Sequence, residues 1–78
     1  MSMLYFRLYE CRTYEGLTQQ ALCEKLCIPR GSYAAYETGG RPVPAEVLSI
    51  LADFYQTSVD YLIGRTDTRS PYPPRLFW

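Results

Sequence analysis

The residues that could do chemistry in this chain concentrate in one stretch, residues 17–37. Thr18 carries the side-chain oxygen that caps a helix start, so Gln19 and Gln20 fall in the first turn after it. Exposed amides there stand beside backbone N–H groups that the helix leaves without partners, an arrangement suited to a phosphate. Further on, Pro29 suits the first turn of a second helix, because its missing N–H costs nothing there. Arg30 lies in that turn, placed either to meet an anionic partner or to stand as a solvated surface charge. The chemistry on offer is hydrogen bonding rather than catalysis. The chain contains no histidine, and it has no nucleophile motif, phosphate loop or metal cluster. No enzymatic activity, metal or cofactor is expected.

The cysteines do not change that expectation. Three of them without a histidine fall short of a zinc-ligand set. Cys23 and Cys27 share a helix face but lack partner ligands, and all three, with Cys11, sit among apolar positions. Each is expected in the core, where a free thiol packs as a small hydrophobe. An odd cysteine count fits a reducing cytoplasm. The N-terminal residues lack a basic segment followed by an apolar one, so no signal peptide is read. No apolar run approaches the roughly 18 residues of a membrane span.

A small helical frame must position the central stretch. With 78 residues, 47% of them hydrophobic, the chain has enough for one core and no more. Leu4, Leu8 and Cys11 repeat at helical spacing, and Gly16 stops that helix. Ala21, Leu22 and Leu26 face inward on the second helix, and Tyr33 and Tyr36 on the third, which Gly39-Gly40 ends. Arg41-Pro-Val-Pro44 is a stiff loop before a fourth helix. There Val47, Leu48, Leu51, Ala52 and Tyr55 form a wide apolar stripe. Ser58 caps a short fifth helix through Leu62 and Ile63, and Gly64 supplies a left-handed stop. The fold class is all-α, five helices with no strand and no repeat. Residues 1–65 form the domain, and 66–78 a tail rich in proline and aromatics. Its three prolines favour an extended chain. The apolar end Leu76-Phe77-Trp78 either folds back over its own domain, docks on a second subunit or another protein, or stays free.

The second and third helices meet at a tight corner, Cys27-Ile28, which is the sequence form of a helix-turn-helix. In DNA-binding versions the second helix of the pair lies in the major groove. The formal net charge is zero, which is not a nucleic-acid binder's signature. Its distribution is uneven, however. Arg30, Glu37 and Arg41 leave residues 29–42 at +1, whereas Glu46, Asp53 and Asp60 leave residues 43–64 at −3.

From about Leu8 to Asp67 the chain resembles the Cro/C1-type helix-turn-helix domain, the Xre family of bacterial and phage repressors. The residues that carry the resemblance are Gly16-Leu-Thr-Gln19, Ile28-Pro-Arg-Gly-Ser-Tyr33 and Tyr36-Glu-Thr-Gly39. Pro44 before Leu48-x-x-Leu-Ala52, then Ser58-Val-Asp-Tyr-Leu-Ile-Gly64, complete it. The resemblance implies a five-helix, lambda-repressor-like domain. It further implies a homodimer on a two-fold-related double-stranded DNA operator, in the cytoplasm of a bacterium or in a phage-infected cell. Carried over by position, Gln19 grips a phosphate. Arg30, Gly31, Ser32 and Ala35 face base edges, and Thr38, Gly40 and Arg41 meet the backbone. Arg12 and Glu37 match a structural salt bridge between the first and third helices.

Two departures stand out. Cys27 occupies a position where relatives often have glycine, so it would hold a left-handed backbone at a cost of about 1 kcal/mol. The third helix is also unusually bare, with Arg30 and Ser32 its only outward side chains able to hydrogen-bond bases. A bare helix can approach the groove floor closely, but it reads few bases. The expectation is therefore a stand-alone transcriptional regulator, a repressor in the first instance. The alternative is a protein-interaction or antitoxin-like module on the same fold, with weak or lost DNA reading.

Overall fold

The computed structural model describes residues 3–70, with side chains from Phe6 onward; the end of the tail, Leu76-Phe77-Trp78 included, lies outside the described residues. Five helices follow in order: α1 (Met3–Tyr14), α2 (Gln19–Leu26), α3 (Arg30–Thr38), α4 (Ala45–Tyr55) and α5 (Val59–Leu62). No strand occurs among the described residues. The start signals are local. Thr18 Oγ1 accepts the Ala21 N–H at 3.0 Å, and Ser58 Oγ accepts the Tyr61 N–H at 3.0 Å.

Pro29 and Pro44 stand one residue earlier than expected, as the caps of α3 and α4 rather than their first helical residues. Their ψ angles of 130° and 149° are extended. The carbonyls still accept the first helical bonds, from Tyr33 and Leu48.

Each helix ends by the same device. The residue after the last turn swings left-handed, and the following N–H reaches back five residues: Leu17 to Arg12, Ile28 to Cys23, Gly40 to Ala35, Thr57 to Ala52 and Arg65 to Asp60. These are Schellman-type ends, which satisfy carbonyls that the helix leaves open. Glycine makes the left-handed step at Gly16, Gly39 and Gly64, but Cys27 and Gln56 make it with φ of 56° each. That position exposes Cys27, correcting its expected place in the core; Cys11 and Cys23 are buried.

The core joins Leu8 and Cys11 of α1, Leu22 and Cys23 of α2, and Tyr33 and Tyr36 of α3. Ile28, Val43, Leu51, Ala52, Tyr55 and Leu62 complete it. Helix α3 packs on both α1 and α2, and α5 on α1 and α4. Val47, Leu48 and Leu26, read as inward from spacing, are only partly buried against this cluster.

Arg7 closes the opposite side of the domain. Its guanidinium donates to the carbonyls of Tyr61 at 2.9 Å and Thr66 at 2.5 Å. It also pairs with Asp67 at 2.6 Å and lies over the Tyr61 ring, 4.0 Å from its centroid. Arg69 lies over the Tyr14 ring at 4.7 Å, so the chain stays on α1 beyond Gly64.

Candidate nucleic-acid interface

A short corner orients α2 and α3, and a buried charge network fixes both to α1. Arg12, near the end of α1, donates from Nε to Glu37 Oε2 at 2.6 Å and from a terminal nitrogen to Oε1 at 3.2 Å. The other terminal nitrogen donates to the Leu17 carbonyl at 2.7 Å, in the turn that leads to α2. Gln19, the first residue of α2, donates its amide to Glu37 Oε1 at 3.1 Å. One carboxylate thus collects α1, α2 and α3. Burial pushes the Glu37 carboxyl up, but hydrogen bonds from Arg12 and Gln19, with the Tyr33 hydroxyl close by, outweigh it. The group sits below the usual carboxylate range. The Tyr33 and Tyr55 hydroxyls are buried nearby without a well-formed hydrogen bond, and burial pushes both well above the ordinary phenol range.

The outer face carries the remaining candidate residues. Arg30, Gly31, Thr38, Gly40 and Arg41 are exposed, and Ser32 and Ala35 half-exposed. Nothing lies within 4 Å of where a Cβ on Gly31 would stand. Thr38 is occupied locally, its hydroxyl donating to the carbonyls of Ala34 and Ala35 at 3.3 and 3.2 Å. Arg41 turns back from the loop after α3 and donates to Ser32 Oγ at 3.0 Å. Arg30 makes no hydrogen bond or ion pair among the described residues.

Gln19 therefore sits at the start of α2 with one amide hydrogen already used inside. Its backbone N–H and that of Gln20 stand in the first turn, where α2 supplies no acceptor. The face also has a simple charge pattern. Glu37 is the sole acid of α3, and it is buried and paired, so the helix itself exposes Arg30 and no carboxylate. Exposed Glu24 of α2 lines an open pocket with Arg30, and Arg41 stands by Ser32 from the following loop.

The bonds from Gln19 to Glu37 and from Arg41 to Ser32 are not legible in the sequence. Both partners lie beyond one helical turn, so no local spacing announces them. Among the described residues there is no group of three or more His, Cys, Asp or Glu that could hold a metal, and no helix long and apolar enough to cross a membrane.

This geometry defines a helix-turn-helix domain: a capped α2, a left-handed corner and an outward α3 locked from behind. Residues 8–62 match the helix-turn-helix family, and the chain belongs to it, in its Cro/C1 (Xre) branch. Similar proteins include three of Bacillus subtilis strain 168. The uncharacterized HTH-type transcriptional regulator YobD is 42% identical over 65 residues, covering 83% of this chain and 58% of the relative. The HTH-type transcriptional regulator AnsR is 36% identical over 70 residues, covering 90% and 60%. The HTH-type transcriptional regulator ImmR is 36% identical over 61 residues, covering 78% and 48%. The chain thus spans about half to three-fifths of the length of these relatives. No solved structure matches it closely enough to count.

Proposed function

We propose that this chain binds double-stranded DNA sequence-specifically as the reading domain of a transcriptional regulator, a repressor acting by occupancy of its operator. Helix α3 enters the major groove. Gln19 and the N-terminal N–H groups of α2 hold a backbone phosphate, Arg30 reaches a base edge, and Arg41 lies at the groove margin. The observation that carries this reading is the outward face of α3, cationic and nearly free of bulk because its only acid is turned inside onto Arg12. The names of the relatives, all HTH-type transcriptional regulators, agree with it.

One protomer offers few phosphate contacts, so affinity from counterion release is modest. Binding as a two-fold pair on half-sites about one helical turn apart doubles those contacts and fits the small reading surface.

The test is selection of bound sequences from a random duplex pool across a salt series. A two-fold site should be enriched, and Arg30→Ala should relax one position in each half-site, by about 1–3 kcal/mol of discrimination. Enrichment of no sequence even at low salt would reject DNA reading. The net-neutral domain would then be a protein-interaction module.

A further inference from the structure

The bond between Arg41 and Ser32 joins a loop residue to the third residue of α3, and it fixes which way each can hydrogen-bond outward. A serine hydroxyl has one hydrogen and two acceptor sites, whereas a guanidinium has donors only. With Arg41 donating into Ser32 Oγ, the Ser32 O–H must point away from the guanidinium. No other described polar atom receives that hydrogen. Arg41 keeps further N–H groups alongside it. What the pair presents to an approaching ligand is a short row of donors with a single serine lone pair beside them.

The surroundings leave this row accessible. Gly31 precedes Ser32 and Gly40 precedes Arg41, so neither partner has a bulky neighbour on its N-terminal side. Both glycines are exposed. Gly39, left-handed at φ 79°, reverses the chain so that Arg41 returns toward the start of α3. No exposed carboxylate on α3 competes for the guanidinium.

We propose that Ser32 and Arg41 form one donor-rich reading unit, held together by the Arg41-to-Ser32 hydrogen bond, that prefers a base edge rich in acceptors over one that presents an amino group. This proposal rests on the major-groove reading of α3. Guanine, with N7 and O6 both acceptors, satisfies the unit; thymine offers O4 alone. Adenine sets an amino group beside its N7, and cytosine offers only an amino donor, which can meet the one serine lone pair but none of the donors, so cytosine is the least favoured base. The bare third helix therefore has a second reader besides Arg30, half of it supplied from the loop.

The decisive experiment compares sequence selection from a random duplex pool by the unaltered chain, Ser32→Ala, Arg41→Ala and the double variant, with thermal melts to verify that each is folded. The expected result is a guanine-over-cytosine preference at one position that falls about tenfold in either single variant. In the double variant it falls no further, since residues acting as a unit are non-additive. Arg41→Lys should keep the salt dependence, because the charge is retained, but weaken the preference, because an ammonium lacks the planar fork. Changes at two different positions, or an unaltered preference in Ser32→Ala, would overturn the paired unit while leaving groove binding intact. Failure of the unaltered chain to enrich any sequence would overturn both.

Discussion

Glu37 is 5% exposed and charged, because the Arg12 guanidinium meets both of its oxygens. Removing the cation would strand a buried carboxylate, and breaking such a pair costs about 3–5 kcal/mol. Arg12→Ala should therefore lose a large share of a small domain's stability, as a lower midpoint in urea denaturation. The pH dependence follows from the same contact. The folded carboxyl has a lower pKa than the unfolded one, so its contribution is complete above the ordinary carboxylate value of about 4.3. It is lost as pH falls through the folded pKa. Measured midpoints between pH 6 and pH 3 should fall less steeply in Glu37→Gln than in the unaltered chain. On the outer face the logic reverses. Gly31 is helical, exposed and unobstructed, so Gly31→Ala should stabilise the fold by about 0.5–1 kcal/mol. If α3 approaches the groove floor closely, the added methyl should weaken DNA binding in the same protein. A melt and a binding titration on that variant would separate the two effects.

The corner between α2 and α3 holds its shape although its left-handed residue is not glycine. Cys27 takes φ 56°, a conformation that costs a side-chain-bearing residue about 1–2 kcal/mol. Glycine would remove that strain but add unfolded-state freedom worth about 0.4–1 kcal/mol. Cys27→Gly should thus gain up to about 1 kcal/mol, raising the melting temperature by about 4–8 °C per kcal/mol in a domain this small. A lower melting temperature would show that the thiol makes contacts that matter. The corner also marks where sequence and structure part. Helix starts at Thr18 and Ser58, and stops at Gly16, Gly39 and Gly64, are legible because each depends on one residue's own chemistry. Gln56 makes the same left-handed stop with no local sign, since glutamine has no preference for it. Cys27 looked internal because helical spacing aligns it with Cys23, and spacing loses its meaning at the residue where the helix ends. In the site, the inward aromatics Tyr33 and Tyr36 were legible from periodicity. The partners of Gln19, Arg41 and Arg7 were not, because tertiary folding alone brings them together.

Across the whole molecule, a net charge of zero conceals a separation of sign. The face of α3 exposes Arg30 and the adjacent Arg41, while α4 exposes Glu46 and Asp53. Within a domain whose extents are 37 × 25 × 23 Å, these groups lie a few Debye lengths apart at most in physiological salt. At low salt, where the Debye length grows to about 30 Å, the acidic helix opposes the attraction of any duplex to α3, whatever its sequence. Weak attraction to random DNA leaves a larger share of the discrimination to the few base contacts, which matters for a helix with so few polar side chains. Removing the opposing charge should expose this balance. Glu46→Gln together with Asp53→Asn should raise affinity for selected and random duplexes by similar factors at low salt, leaving the preferred sequence unchanged. The gain should shrink as salt rises, because a through-solvent interaction is screened at short range. If the gain instead fell on the selected sequence alone, or persisted at high salt, α4 would be acting by contact with the DNA rather than through its field.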